Sequence, residues 1–270
     1  MNALLGKKQI AVIGAGNIGR ILLERLSVNG MPDAKMLVCD MDEVRAGRAS
    51  RRFGPRACSL TDEALYTSDI FLLTVPPKAT LDILKTLAPN LRQGQIIVSF
   101  AAAISMSRLE AVVLPGVAVA RVMPNVPSLV GKGMNPVAYG SHVSPEARRM
   151  IVSILQTLGA TIEVKDEQMN WCVGLTGAAM RSLLPALEGM TQAGVEAGFS
   201  EEDARRMAAQ VMFGTAGLVL ERDLYFDEIK SLTPMETVDE TAMQKLFAEA
   251  ARAAKEKMDG LQRKLEEGSP

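Results

Sequence analysis

The 270-residue sequence has few of the residues that build disulfide frameworks and metal centres. Its three cysteines, Cys39, Cys58 and Cys172, lie far apart and show no C-x-x-C spacing. This pattern argues for reduced thiols in a cytosolic protein and against a disulfide framework or a zinc site. The only histidine, His142, lies in a loop before a predicted helix, where a solvated side chain is the usual interpretation and a catalytic role the alternative. We therefore expect no bound metal.

Three further absences exclude whole classes of protein. Neither sign of charge is in excess, because 30 Lys and Arg residues face 31 Asp and Glu residues. The composition thus gives no reason to expect nucleic acid or an anionic membrane as a partner. No uninterrupted apolar run reaches about 18 residues, so no membrane span is predicted. Residues 1–8 lack the apolar segment and cleavage pattern of a signal peptide, which favours a cytoplasmic location.

What the sequence does contain is an alternation of short apolar runs and helix-like stretches up to about residue 165. Continuous apolar strands separated by helices are typical of a parallel sheet covered on both faces, so the predicted fold class is α/β. The predicted strands are 9–13, 36–39, 70–75, 95–100, 117–123 and 162–164, and the predicted helices are 17–28, 43–53, 78–87, 107–114 and 145–158. Ser144 would cap the last of these helices before Pro145, and Gly159 would close it.

From about residue 166 the pattern changes to helices alone. We therefore predict one domain over residues 1–165 and an all-helical domain over residues 166–270. The first helix spans 170–198 with Pro185 as a kink, the second runs from Ser200 to about Arg222, and the third opens at Thr233 and runs to about Glu267. In this third helix apolar residues recur at 4-3-4-3-4 spacing: Phe247, Ala251, Ala254, Met258, Leu261 and Leu265. Such a seam requires a partner helix, which favours a homodimer or a higher homo-oligomer formed through these helices.

A glycine motif follows the first predicted strand and opens the first helix. It is Gly14-Ala-Gly16-Asn17-Ile18-Gly19, which has the form G-x-G-x-x-G. Gly14 would allow the tight turn, Gly16 would let the backbone approach a pyrophosphate, and Gly19 would let helix and strand pack closely. The free N–H groups at the helix N-terminus would then hold the phosphates. This motif predicts a dinucleotide-binding βαβ unit.

The second predicted strand ends in Asp40, at the position where such units carry an acid. Its carboxylate would accept hydrogen bonds from the adenosine ribose and would repel a 2′-phosphate, which favours NAD. Arg45 and Arg48 follow closely. They are interpreted as solvated helix charges, and the alternative is that they bind the 2′-phosphate of NADP.

The third predicted strand ends in Pro76-Pro77-Lys78. Ligands of open α/β sheets bind at the carboxyl ends of the strands, so this rigid loop would lie beside the cofactor. Lys78 would then contact phosphate or ribose. The alternative is that the prolines only form a turn into the next helix.

Two later segments resemble the pyrroline-5-carboxylate reductase family. They are Ser99-Phe-Ala-Ala-Ala-Ile104 and Arg121-Val-Met-Pro-Asn125-Val-Pro127, the second followed by Val130-Gly-Lys-Gly133. The family commonly has Ser-x-Ala-Ala-Gly-Ile, then Arg-x-Met-Pro-Asn-Thr-Pro and Val-Gly-x-Gly. The resemblance continues through Gln192-Ala-Gly-Val-Glu-Ala-Gly198 and residues 209–216, and so covers nearly the whole chain.

This resemblance implies an N-terminal Rossmann domain, with a doubly wound, mostly parallel sheet, and a C-terminal helical domain that interlocks with a second subunit. It also implies hydride transfer between a nicotinamide and a C=N bond, with little need for proton transfer by the protein. By the same resemblance, five residues would line the nicotinamide and its ribose: Val75, Pro76, Ala101, Ala102 and Asn125.

Two substrate-side segments depart from the family pattern. Where the family has Ser-Gly-Ser-Gly-Pro-Ala-Tyr, this chain has Thr176-Gly-Ala-Ala-Met-Arg181-Ser182. Where the family has Ser-Pro-Gly-Gly-x-Thr, this chain has residues 233–238, with Met235 and Glu236 in place of the glycines. Val238 replaces the threonine that assists the imine, and Thr237 lies one residue away.

We therefore take Thr176, Arg181, Glu236 and Thr237 as candidate catalytic or substrate-binding residues. Arg181 would hold an acid group, and Glu236 or Thr237 an amine or imine, of a small imino or amino acid other than pyrroline-5-carboxylate. The alternatives are an Arg181 that only extends into solvent, and a Glu236 that forms a capping box with Thr233.

Two other interpretations of the whole chain stay open. One is an ordinary pyrroline-5-carboxylate reductase, and another is a non-catalytic NAD(P)-binding sensor or regulator. A β-hydroxyacid dehydrogenase is disfavoured, because residues 170–189 contain no lysine for proton transfer.

Overall fold

The computed structural model describes residues 5–222, 224–233 and 235–267. The chain divides into two compact units. The first unit consists of the chain up to Gly177 together with the part from Arg252 onward, and the second unit is Ala178–Ala251. The first unit is α/β and the second is helical, so the predicted fold class is confirmed.

Seven strands of the described residues form one twisted layer in the first unit, in the order β3-β2-β1-β4-β5-β6-β8. The first six of these strands are parallel, and β8 pairs antiparallel with β6 at the edge. A separate pair, β7 and β9, is parallel. The strands are β1 (Ile10–Ile13), β2 (Met36–Cys39), β3 (Arg56–Cys58), β4 (Ile70–Leu73), β5 (Ile96–Ser99), β6 (Ala118–Val122), β7 (Gly133–Met134), β8 (Val137–Tyr139) and β9 (Gly159–Ala160).

Helices cover both faces of the sheet in the first unit. They are α1 (Asn17–Val28), α2 (Glu43–Phe53), α3 (Glu63–Tyr66), α4 (Pro77–Leu87), α5 (Met106–Glu110), α6 (Pro145–Leu158) and α7 (Met169–Cys172). Side chains of α1, α2 and α6 pack on one face, and side chains of α3, α4, α5 and α7 pack on the other. Strands buried on both sides explain the continuous apolar runs of the sequence.

The second unit contains α8 (Ala179–Glu196), α9 (Glu201–Arg222), α10 (Phe226–Ser231) and the first part of α11 (Glu240–Glu267). Helix α8 continues through Pro185, and the irregular stretch lies earlier, in a π-helical segment at Val173–Ala178. The unit exposes large apolar side chains, among them Phe213 at 62% and Leu220 at 79%. Exposed apolar surface on this scale is typical of a subunit interface.

Several predicted boundaries were wrong. The predicted strand 162–164 makes only bridging hydrogen bonds, from Val137 N–H to the Ile162 carbonyl and from Val164 N–H to the Val137 carbonyl, both 2.9 Å. The predicted helix 107–114 is shorter and ends at Glu110. The sequence analysis also missed the edge strands β3 and β8.

The last helix begins later than predicted, at Glu240 instead of Thr233. The N–H of Thr233 donates to the Lys230 carbonyl (3.1 Å) and so closes the preceding helix. The carboxylate of Asp239 accepts from the Ala242 N–H (2.9 Å) and caps α11. The capping box between Thr233 and Glu236, which was the alternative interpretation of Glu236, is therefore wrong.

The apolar seam of α11 is half-buried, and its last residue contacts the same chain. Leu265 packs against the core formed with α4, α5 and α7. Asn170 Nδ2 also donates to Asp259 Oδ1 (3.0 Å) and to Gln262 Oε1 (2.8 Å). The end of the seam thus has a partner within its own subunit. Among the described residues, no helix is both long and apolar enough to cross a membrane.

Candidate functional site

The loop between β1 and α1 is shaped by its three glycines. Gly14 has a φ of +104°, and its N–H donates to the Cys39 carbonyl at 2.7 Å. A Cβ at Gly19 would overlap the Gly14 carbonyl oxygen, so only glycine lets the helix approach the turn this closely. A Cβ at Gly16 would meet no atom within 4 Å. The space in front of Gly16 is therefore open to a ligand.

Thr74 supports this loop from the end of β4. Its Oγ1 donates toward the Gly14 carbonyl at 2.6 Å and toward the Ile13 carbonyl at 3.1 Å. The same oxygen would lie 2.8 Å from a Cβ at Gly19. Sequence reasoning missed Thr74, although a hydroxyl residue at the carboxyl end of a predicted central strand was a visible signal.

The carboxylate of Asp40 is held in place at the end of β2. Oδ2 accepts from the Ala15 N–H at 2.7 Å, and Oδ1 accepts from the Asp42 N–H at 2.9 Å. Arg45 Nη1 lies 3.6 Å from Asp40 Oδ2, and its Nη2 lies 3.5 Å from Asp42 Oδ2. The Asp40 side chain is only 6% exposed. Each oxygen retains a lone pair, so this fixed carboxylate can still accept ribose hydroxyls.

A cleft of about 920 Å³ opens along the carboxyl ends of the central strands. This volume is at the upper end of the range for small-molecule and cofactor sites. It brings together nine of the predicted cofactor residues: Gly14, Gly16, Asn17, Ile18, Asp40, Val75, Pro76, Ala101 and Ala102. Its wall also contains residues that the sequence analysis did not select, among them Met41, Cys58, Leu60 and Ile83.

Three predicted cofactor residues do not line the cleft. Gly19 lies behind the glycine turn, and Lys78 is exposed on α4 while its neighbours Pro77 and Ala79 form the wall. Asn125 is 9% exposed and joins two backbone segments. Its Nδ2 donates to the Thr176 carbonyl (3.3 Å), and its Oδ1 accepts from the Met134 N–H (3.1 Å).

The substrate-side candidates lie in irregular or exposed parts of the chain. Thr176 lies in the π-helical segment, a feature frequent at functional sites, and its hydroxyl donates to the Cys172 carbonyl (2.7 Å). Arg181 is exposed in the first turn of α8, with no ion pair among the described residues. Glu236 and Thr237 are exposed in the irregular segment before α11.

Two family models match separate parts of the chain. A model described as NADP oxidoreductase coenzyme F420-dependent matches residues 9–103. A model described as Pyrroline-5-carboxylate reductase dimerisation matches residues 166–261. The second match covers the region whose apolar side chains are left exposed in a single chain.

Relatives of known name match along nearly the full length. The pyrroline-5-carboxylate reductase of Corynebacterium melassecola is 28% identical over 264 residues, covering 93% of this chain and 98% of the relative. Among solved structures, the Plasmodium falciparum pyrroline carboxylate reductase with NADP bound is similar with a TM-score of 0.83, at 19% identity, covering 96% of this chain and 99% of that one. The pyrroline-5-carboxylate reductase of Coxiella burnetii gives 0.82 at 20% identity, covering 94% and 98%. These structural likenesses show a shared fold.

Proposed function

We propose that this chain is an NAD(P)-dependent oxidoreductase of the pyrroline-5-carboxylate reductase type, as its relatives and the match of residues 166–261 support. Its substrate in this proposal is a small imino or amino acid other than pyrroline-5-carboxylate, with hydride transferred to or from the C=N or C–N bond. In this proposal residues 1–165 bind the nucleotide, and residues 166–270 supply substrate and dimer contacts. The proposal of a different substrate rests on the segment from Met235 to Val238, which departs from the family pattern.

NAD is the proposed cofactor. The residues at the cleft fit a dinucleotide, because the open space at Gly16 admits a pyrophosphate and the fixed Asp40 carboxylate suits ribose hydroxyls. Arg45, the nearest cation to that carboxylate, is engaged by Asp40 and Asp42. NADP is the alternative, since the P. falciparum reductase has it bound.

The ratio of NADH to NADPH affinity tests this choice. Asp40→Asn removes the negative charge that would repel a 2′-phosphate and keeps the side chain's size. We expect the ratio to shift toward NADPH by about tenfold, equivalent to about 1.4 kcal/mol. A variant with the wild-type ratio would remove Asp40 as the source of cofactor preference.

The protein's part in the reaction is to position the reactants and exclude water. The bound nicotinamide supplies or accepts the hydride. Val75, Pro76, Ala101 and Ala102 carry no titratable group, so they would hold the nicotinamide face and keep water from it. An iminium substrate arrives already protonated, which agrees with a cleft wall that offers no histidine.

The segment before α11 supports a changed substrate site. Two glycines of the family pattern are replaced here by Met235 and Glu236, whose side chains occupy space where backbone would otherwise approach a small ring. Helix α11 is capped by Asp239, so Glu236 is not needed for capping. Its carboxylate, exposed in an irregular segment, is available to an amine or iminium group.

Arg181 supports an acidic group on the substrate. It stands in the first turn of α8, where the family pattern has no arginine, and its planar guanidinium suits a carboxylate in a two-point contact. Arg181→Ala should raise the KM for an acidic substrate by about ten- to hundredfold, as expected for a charged hydrogen bond of about 1.5–3 kcal/mol. The matched control is Arg205→Ala, an exposed arginine on α9, which should leave KM unchanged.

The test of the substrate is turnover of a panel by the purified protein. NADH and NADPH are supplied with pyrroline-5-carboxylate, other cyclic imino acids, and 2-oxo acids with ammonia or methylamine. We expect oxidation of the cofactor with one of the other compounds and little with pyrroline-5-carboxylate. Efficient turnover of pyrroline-5-carboxylate would instead support the second candidate, an ordinary reductase of that substrate, which the named relatives favour. NADH binding without turnover of any compound would favour a sensor.

A further inference from the structure

Two cysteines that are distant in sequence become neighbours in the fold. Cys39 ends β2 and Cys58 ends β3, and the two are register partners in the parallel pair. Register partners point to the same face of a sheet, and neighbouring strands are about 4.8 Å apart. Cys39 is buried, Cys58 is half-buried, and both line the cleft beside Asp40.

The chemistry of the two thiols differs. A hydrogen bond from the Cys39 thiol lowers the pKa of Cys58, and the same pairing raises the pKa of Cys39. Cys58 is thus the better nucleophile of the two, since the thiolate is the reactive form. The third thiol is different again, because burial raises the pKa of Cys172, which does not line the cleft.

We propose that Cys39 and Cys58 form a redox-active thiol pair in the cofactor cleft, which hydroperoxides oxidise to a disulfide that weakens cofactor binding. The Cys58 thiolate attacks the hydroperoxide, so that an S–O bond forms, the O–O bond breaks and the alcohol or water leaves with a proton. The Cys39 sulfur then attacks the resulting sulfenic acid, so that the S–S bond forms and the S–O bond breaks. The departing hydroxide takes the proton of Cys39 and leaves as water. Two electrons pass from the thiols to the hydroperoxide.

Closing this disulfide requires a small movement of the backbone. The two Cβ atoms of a disulfide lie about 3.8 Å apart, which is about 1 Å closer than the strand spacing. β3 is an edge strand with a partner on one side only, so it can move toward β2 by part of this distance. The remaining strain makes the bond easily reduced, as expected of a reversible modification.

The movement would reach the nucleotide through Cys39. The carbonyl of Cys39 accepts from the Gly14 N–H (2.7 Å), and the next residue, Asp40, is bonded to the Ala15 N–H (2.7 Å). Because β3 accounts for only part of the distance, the disulfide also pulls on Cys39, and a shift of Cys39 displaces the glycine turn and the ribose-binding carboxylate together. Loss of one charged hydrogen bond to the ribose would weaken NADH binding about ten- to hundredfold. This consequence rests on the proposed function, whereas formation of the disulfide does not.

The experiment treats the full-length protein with hydrogen peroxide or tert-butyl hydroperoxide and maps disulfides by mass spectrometry of peptides. We expect a bond between Cys39 and Cys58, its reversal by dithiothreitol, and its formation in Cys172→Ala as well. In Cys39→Ala, Cys58 should stop at sulfenic acid or proceed to sulfinic acid. Oxidation that reaches Cys172 first, or that leaves Cys58 oxidised without a partner in the wild type, would overturn the proposal.

NADH titrations of the reduced and oxidised wild type complete the test. Weaker NADH binding by the oxidised protein, restored by dithiothreitol, is the expected result. Equal affinities with the mapped disulfide present would overturn its effect on the cofactor. Absence of NADH binding by the reduced protein would contradict the proposed function and this effect together, while the peptide map still decides whether the thiol pair reacts.

Discussion

Two glycines of the G-x-G-x-x-G motif, Gly16 at the N-cap of α1 and Gly19 within that helix, should respond differently to substitution by alanine. At Gly19 an alanine Cβ would overlap the Gly14 carbonyl oxygen and lie 2.8 Å from Thr74 Oγ1. Since the opposing atom is backbone, relief requires α1 to move away from the turn. At Gly16 the φ is −70° and a Cβ meets nothing within 4 Å, so the protein without ligand tolerates alanine.

We therefore expect Gly19→Ala to lower the free energy of unfolding by about 3 kcal/mol, the upper end for overpacking. For a chain of this size the corresponding fall in Tm is about 6–12 °C. Gly16→Ala should change the stability by about 1 kcal/mol or less, because glycine and alanine differ modestly at a helix N-cap. It should nevertheless weaken NADH binding about ten- to hundredfold, since the added methyl group separates the pyrophosphate from backbone N–H groups.

The assay is thermal unfolding by circular dichroism together with NADH titration by fluorescence. A Gly19→Ala protein with wild-type stability would refute the packing argument. Wild-type NADH affinity in Gly16→Ala would refute the placement of the pyrophosphate in front of this residue. The two results are independent, because one concerns the protein alone and the other the complex.

Three further predictions concern single contacts. Thr74→Val should cost about 1–3 kcal/mol, because two carbonyl oxygens of the glycine loop lose their shared donor; chemical denaturation measures this, and an unchanged midpoint would contradict it. Asp239→Ala should cost about 1 kcal/mol as the loss of an N-cap, whereas Glu236→Ala should leave the stability unchanged; the reverse order would restore the rejected capping box. The ion pair with Arg56 lowers the pKa of Asp62, so its contribution is present above the ordinary pKa of aspartate, about 3.9, and is lost as the pH falls through the lowered value. Urea titrations of the wild type and Asp62→Asn should therefore converge in acid, and a difference that grows in acid would contradict this sign.

Local signals predicted the elements that carry their own start and stop residues. Helices α1, α2 and α6 have the predicted bounds, because each directly follows a residue suited to an N-cap (Gly16, Asp42 and Ser144) and carries an apolar stripe. The edge strand β3 was missed because its three residues are mostly exposed and show no apolar run. For α11, two acceptable N-caps lay six residues apart. Thr233 is used to close the preceding helix, through its N–H bond to the Lys230 carbonyl, so Asp239 caps α11 instead. The sequence alone does not show where the preceding helix ends.

The same limit applies to the site. The glycine turn and Asp40 follow from spacing within one βαβ unit, so the sequence is enough to propose them. Thr74 directly follows β4 and Cys58 ends β3. These strands are distant from the glycine turn in sequence, and the two residues lie near the turn only because of the strand order β3-β2-β1-β4. Lys78 was selected because it follows a strand end, but its position in the first turn of α4 leaves it exposed and outside the cleft wall.

The chain leaves its first unit once and returns to it, which has a consequence for how the protein tolerates shortening. Leu265 packs on the core of the first unit, and Asp259 and Gln262 bond to Asn170. Truncation after Ala251 would therefore expose part of the core of the first unit, although the removed residues are distant in sequence from the strands of that unit.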